Sequence, residues 1–171
     1  AYIGENFLIG QNRVILEPRT LAKLLDALNI NNDELVLDIG TGLGYSSAVI
    51  SLLAEVVIAV EDDSSLASEA EEILSEIGVD NVVVQVSKLE DGAPEHGPYD
   101  VIILQGGVED IPGSILNQLK DGGRIGAIFI EEGLGTAKIG FKVNNKISWR
   151  YSFNAAAPIL PGFSKQKDFV L

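Results

Sequence analysis

The string Leu37-Asp38-Ile39-Gly40-Thr41-Gly42-Leu43-Gly44 sets one carboxylate just ahead of three alternating glycines. Glycine has no Cβ to hold a ligand away from the backbone. A glycine turn that opens a helix also presents unpaired N–H groups at the positive end of the helix dipole. Dinucleotides prefer the spacing G-x-G-x-x-G, because the pyrophosphate rests on the helix end. Here the spacing is G-x-G-x-G and Tyr45 comes next. Asp38, two residues before the first glycine, suits a cationic ligand better than a pyrophosphate. A second acid, Glu61, closes the apolar run Val56-Val57-Ile58-Ala59-Val60. In a βαβ unit it faces the same crevice and can accept hydrogen bonds from a ribose diol.

Asp38, the glycines and Glu61 together favour S-adenosylmethionine, whose amino-acid end carries an ammonium group, over a nicotinamide dinucleotide. Ser87-Lys88-Leu89 follows the next apolar segment, where the adenine is expected, with Leu89 as an apolar face. Gln105-Gly106-Gly107 follows another such segment, where a transferred methyl group would point and the Gln105 amide could orient a substrate. The expected cofactor set is therefore Asp38, Gly40, Thr41, Gly42, Gly44, Glu61, Asp62, Lys88, Leu89 and Gln105. His96 lies among glycines and prolines and reads as a solvated loop residue. The pairs Asp62-Asp63, Glu109-Asp110 and Glu131-Glu132 read as solvated loop ends.

The elements needed to position these residues follow from hydrophobic periodicity. Leu21, Leu24, Leu25 and Leu28 fall on one helical face, so 18–28 reads as an amphipathic helix opened by Pro18 and ended by Asn29. The run 34–39 reads as a buried parallel strand. A helix over 45–54, a strand over 56–60 and a helix over 64–77, capped by Ser64 and stopped by Gly78, complete the βαβ pattern. Strands are expected over 81–86, 99–104 and 123–130, and a short helix over 111–119. A hairpin of 136–143 with 146–153 turns at Asn144-Asn145, both tolerant of positive φ. Such alternation predicts an α/β fold, a mostly parallel sheet covered on both faces with one antiparallel edge, binding its ligand beyond the strands' carboxyl ends.

Composition narrows the partners. With 12 Lys+Arg against 25 Asp+Glu, the formal charge of -13 repels phosphate backbones and argues against a nucleic-acid substrate. The absence of Cys and the single His exclude disulfides and most transition-metal sites. No apolar run reaches the roughly eighteen residues of a spanning helix, so no membrane partner is expected, and the chain is expected to be soluble and cytoplasmic.

The strings VILEPRTLAKLLDAL, VLDIGTGLGYSSAVIS, VIAVEDD, GPYDVIILQGGVEDIP and LKDGGRIGAI follow in the order and spacing of protein-L-isoaspartate O-methyltransferases. The resemblance runs from about Gly10 to Phe163. It implies a Rossmann-like class I methyltransferase, with a mostly parallel seven-stranded sheet and an antiparallel C-terminal hairpin. It also implies carboxyl methylation of isoaspartyl residues in damaged proteins, with S-adenosylmethionine as donor and a protein or peptide as partner. A single domain over 1–171 is expected, with an N-terminal segment 1–15, a cofactor-binding core 16–135 and a C-terminal hairpin and substrate-side segment 136–171. Relatives usually carry additional N-terminal helices; their absence here, with no Met at position 1, agrees with a truncated start.

Two positions depart from the family pattern. Its hydroxyl residue in S-x-P, near the substrate carboxylate, corresponds to Leu16 in Leu16-Glu17-Pro18. Leu16 cannot donate a hydrogen bond, which leaves Arg19, Thr20 and Gln105 as candidates for positioning the acceptor. The family's Gly-Asp-Gly after the third strand corresponds to Ser87-Lys88-Leu89. The alternative reading is a family member that binds the cofactor but has lost the repair reaction and acts on another acceptor or as a binding protein. With Leu16 in place of the hydroxyl, isoaspartyl methylation is expected to be weak or absent. Ala157-Pro158-Ile159-Leu160-Pro161-Gly162 resembles the proline-bearing segment that borders the substrate groove in the family.

Overall fold

The computed structural model describes residues 5–166, and the first and last few residues of the expected 1–171 domain lie outside that range. Seven strands form one sheet in the order β5-β4-β3-β6-β7-β8-β9. Here β3 is Leu35–Ile39, β4 Val56–Glu61, β5 Val82–Val86, β6 Tyr99–Val108, β7 Leu119–Glu131, β8 Leu134–Val143 and β9 Lys146–Asn154. The pairings of β3 with β4 and β6, of β4 with β5 and of β6 with β7 are parallel; β7–β8 and β8–β9 are antiparallel. A separate two-stranded hairpin, β1 (Phe7–Gly10) with β2 (Arg13–Ile15), precedes the sheet. The mixed, mostly parallel sheet with antiparallel last strands agrees with the expected fold class.

Strand alternation divides the core in two. Leu37, Ile39, Ile58, Val60, Ile102 and Leu104 pack on one face with Leu89, Tyr99 and Phe163. Val36, Val57, Val101 and Ile103 pack on the other against helix α1, Pro18–Leu28. Leu21, Leu24, Leu25 and Leu28 of α1 are all buried, at about 1.5–3 kcal/mol each. Pro18 opens the helix, and Asn29 closes it in the left-handed conformation with its N–H on the Leu25 carbonyl. Arg124 locks this end, donating to the Leu28 and Asn29 carbonyls and, through both terminal nitrogens, to Glu34.

Several expected boundaries are corrected. Helix α2 spans only Tyr45–Ser51, and α3 spans Ser64–Glu76 with Asp63, not Ser64, accepting from the Ser65 and Leu66 N–H groups. The helix expected over 111–119 shrinks to α4, Gly113–Leu116, because Leu119 already belongs to β7 and pairs with Tyr99. The 99–104 strand continues through Gln105-Gly106-Gly107 to Val108. Its glycines admit the C-terminal segment: Gly107 donates to the Pro158 carbonyl and accepts from Leu160 N–H, both at 2.8 Å. A Cβ on Gly107 would stand 2.7 Å from the Ala157 carbonyl oxygen. The turn Asn144-Asn145 is as expected, with φ of 53° and 63°.

Candidate functional site

The glycine loop joins β3 to α2 at the carboxyl edge of the sheet. Gly40, Gly42 and Gly44 have φ of 83°, 59° and 86°, a region costly for side chains other than glycine. Gly40 N–H and Thr41 N–H bond to the Val60 carbonyl, which fastens the loop to the head of β4. At that head Glu61 is fully buried, and its Oε1 accepts from Gly42 N–H at 2.8 Å. The expected meeting of the glycine loop and the distant acid is therefore realised.

Glu61 is shared with a residue that sequence reasoning missed. Arg13, on β2 and only 5% exposed, donates through Nη1 to Oε2 at 2.9 Å and through Nη2 to Oε1 at 2.5 Å. Arg13 Nη1 also reaches Asp62 Oδ1 at 2.9 Å, and Asp63 N–H completes the set on Glu61 Oε2. Burial alone would raise the Glu61 pKa, but the hydrogen bonds and positive charge of Arg13 outweigh it and hold the carboxyl below its ordinary value. Asp62, partly exposed, moves upward through burial and the neighbouring Glu61. No local pattern announces Arg13, because its partner lies 48 residues away.

Asp38 turns out to be enclosed. Its Oδ2 accepts from the Ser46 and Ser47 hydroxyls, both at 2.6 Å, and its Oδ1 from Gln105 Nε2 at 2.9 Å. Thr41 Oγ1 lies 2.9 Å from Ser47 Oγ and extends the cluster. Complete burial raises the Asp38 pKa, partly offset by these donors. The carboxylate thus holds the start of α2 and the amide of Gln105 in place, instead of facing the crevice as an ammonium partner. Ser46 and Ser47 were legible only as the residues opening the helix after the glycines.

Lys88 is exposed, whereas Leu89 is fully buried in the core instead of forming a wall of the crevice. Leu16 is 2% exposed and packs with α1. Arg19 is exposed, and the Thr20 hydroxyl donates to Glu17 at 3.0 Å. A small cleft joins Leu16 to Gly40, Thr41, Tyr45, Ser46 and Gln105, and neither Arg19 nor Thr20 lines it. Its cavity is about 10 Å³. Side chains of the chain itself lie against Gly40 and Gly42, and a hollow of about 350 Å³ opens beside Arg13, Asp62 and Asp63. Ile9 Cδ1 lies 2.6 Å from where a Cβ on Gly42 would be, and Arg13 Nη2 and Leu160 Cδ2 lie 3.4 and 3.5 Å from the corresponding point on Gly40.

No helix among the described residues is long and apolar enough to cross a membrane, and no cluster of three His, Cys, Asp or Glu able to hold a metal occurs among them.

The strand order and the glycine loop facing an acid on the next strand define a class I methyltransferase domain. The chain belongs to the protein-L-isoaspartate(D-aspartate) O-methyltransferase family, whose family model matches residues 1–146. A protein-L-isoaspartate O-methyltransferase of Syntrophus aciditrophicus is 38% identical over 125 residues, covering 73% of this chain and 57% of the relative. One from Methanocella arvoryzae is 41% identical over 128 residues, covering 73% of this chain and 68% of the relative. The chain spans about half the length of most such curated relatives. Among solved structures, a protein-L-isoaspartate O-methyltransferase superposes with a TM-score of 0.80 at 22% identity, over 94% of this chain and 57% of that one. A Plasmodium falciparum protein assigned the same activity, in complex with S-adenosyl-L-homocysteine, superposes with a TM-score of 0.77 at 19% identity, over 93% and 81% of the two chains.

Proposed function

We propose that this chain is the catalytic domain of an S-adenosylmethionine-dependent carboxyl methyltransferase acting on isoaspartyl residues of damaged proteins. The observation that carries this reading is Glu61, held against the Gly42 N–H at the head of β4 in a chain of this family. Every relative cited above bears the isoaspartyl methyltransferase name, and none favours the alternative of a family member without the repair reaction.

The residues fit the cofactor chemically. A buried carboxylate at a strand head suits a vicinal diol, and the three glycines leave backbone where side chains would intrude. Glu61 would accept the ribose hydroxyls, with the Gly40–Gly44 backbone beneath and Asp62 and Lys88 at the adenine side. Gln105, its amide nitrogen anchored on Asp38, lines the cleft together with Leu16 and Tyr45. When bound, S-adenosylmethionine supplies an electrophilic methyl group.

The acceptor needs no base from the protein. A carboxylate is ionised at neutral pH and is already nucleophilic, so the chain contributes alignment and exclusion of water. This accounts for a chain whose single histidine, His96, lies in the segment before β6 and lines neither the cleft nor the glycine loop. The apolar Leu16 shields the acceptor side, and the polar contacts there come from Thr41, Tyr45 and Gln105. A cytoplasmic location accords with this role.

The test is methyl transfer from S-adenosylmethionine to an isoaspartyl peptide, run beside its aspartyl counterpart. Methylation confined to the isoaspartyl peptide is expected. Equal labelling of both, or of neither, contradicts the assignment.

A further inference from the structure

The crevice that should receive a nucleoside is closed by the chain's own N-terminal hairpin, and the closing contact copies the ligand. We propose that the β1–β2 hairpin is a built-in competitor: the Arg13 guanidinium docks on Glu61 in place of a ribose diol, and a nucleoside ligand enters only when the hairpin lifts. This rests on the reading of Glu61 as the ribose acceptor.

A guanidinium presents two parallel N–H donors to the two oxygens of a carboxylate, as the adjacent hydroxyls of a ribose would. With two bonds from Arg13 and one each from Gly42 and Asp63, Glu61 has four donors on its two oxygens. That exhausts its usual accepting capacity. Addition of a ribose therefore requires loss of Arg13.

Space leads to the same conclusion. The cleft beside Gly40, Tyr45 and Gln105 holds about 10 Å³, the scale of one water, and the hollow of about 350 Å³ at Arg13, Asp62, Asp63 and Leu66 is lined by neither Glu61 nor Gly42. The room that Gly42 leaves for a ligand is taken by Ile9, on the facing strand of the same hairpin. Turning Arg13 aside would free the carboxylate but not this space, so the hairpin must move as a unit.

Strand β1 is largely exposed, so the hairpin is held mainly through β2, by Arg13 and the buried Val14. Its strands have 4 and 3 residues, too few for independent stability. Phe7 and Leu8 are exposed, and the Asn6 side chain ahead of β1 donates to the Ala156 carbonyl and accepts from the Glu17 N–H. The docked arrangement also carries a defect: Arg13 Nε is buried with no hydrogen-bond partner. Such an orphaned donor raises the free energy of the closed state, and lifting the hairpin exposes it to water.

The experiment combines calorimetric titration of S-adenosylhomocysteine with hydrogen exchange of the hairpin amides. In the unaltered protein, saturation with S-adenosylhomocysteine is expected to speed exchange across Phe7–Ile15. Arg13→Gln, which removes the bidentate charge, is expected to bind at least tenfold more tightly, and Ile9→Ala, which keeps the ion pair but shortens the wedge, a few-fold more tightly. The hydrogen-exchange readout needs no variant, so poor folding of Arg13→Gln would not remove the test. Equal affinities with unchanged exchange would overturn the competitor while leaving the cofactor reading intact. Tighter binding without faster exchange would also overturn it. No binding by any folded variant would overturn both.

Discussion

Gln105 on β6 donates its side-chain amide to Asp38 on the adjacent strand β3 at 2.9 Å, and through that bond the cleft is tied to the start of α2. Asp38 is the shared acceptor for Gln105, Ser46 and Ser47, so its removal leaves the Gln105 amide and the Ser46 hydroxyl without their acceptor, while Ser47 keeps Thr41. At about 1–3 kcal/mol for each unsatisfied group, with relaxation recovering part, Asp38→Ala is expected to lose about 3 kcal/mol of stability. Asp38→Asn keeps an acceptor and should lose about 1 kcal/mol. Urea denaturation of both checks the order, and equal losses would contradict the role given to the carboxylate.

Leu16 has become a packing residue in this chain. It is 2% exposed among the leucines of α1, so Leu16→Ser removes buried apolar atoms and adds a hydroxyl. A loss of about 3 kcal/mol is expected from the cavity and the buried polar group. Affinity for S-adenosylhomocysteine should be nearly unchanged in the folded variant. The check is the thermal midpoint measured beside calorimetry; an unshifted midpoint would place Leu16 outside the core.

The acid limb of stability should carry the signature of Glu61. Its folded pKa lies below the ordinary 4.5, at about 2. A carboxyl depressed by folding stabilises above its unfolded pKa, and that contribution disappears as pH falls through the folded value. Stability should therefore drop from about pH 4.5 toward about pH 2. Glu34, lowered by its Arg124 hydrogen bonds, contributes in the same direction. Glu61→Gln is expected to flatten the drop without abolishing it, as urea midpoints at stepped pH would record. An unchanged slope in the variant would remove Glu61 from the account.

Gly107 tests the C-terminal segment that closes over β6. A Cβ there would meet the Ala157 carbonyl oxygen at 2.7 Å and Ile130 at 2.8 Å, a backbone atom and a packed side chain with little room to yield. Gly107→Ala is expected to loosen 155–163, which limited proteolysis would show as earlier cleavage there. Cleavage at the parental rate would contradict the packing.

The elements that could be read from the residues are those with local causes. Pro18 and Asn29 delimit α1 as expected, since a fixed φ and a left-handed cap act within single residues. The glycine loop and the Asn144-Asn145 turn were legible for the same reason. The extension of β6 through Gly106 and Gly107 was not, because adjacent glycines read as a break unless a segment some fifty residues later is known to lie on them. In the site, the carboxylates of Asp38 and Glu61 were found by position, but their partners were not. Ser46, Ser47 and Gln105 enclose Asp38, and Arg13 covers Glu61, through contacts that only the folded chain brings together.

The most direct test of the account is the affinity for S-adenosylhomocysteine of the protein and of its Glu61→Gln variant, measured by calorimetry. A neutral amide keeps one acceptor oxygen in place of two and lacks charge assistance. The account predicts saturable one-site binding by the parent and a loss of about 1–3 kcal/mol in the folded variant, roughly five- to 150-fold. Saturable binding of equal strength by both proteins, or none by the parent, would contradict it.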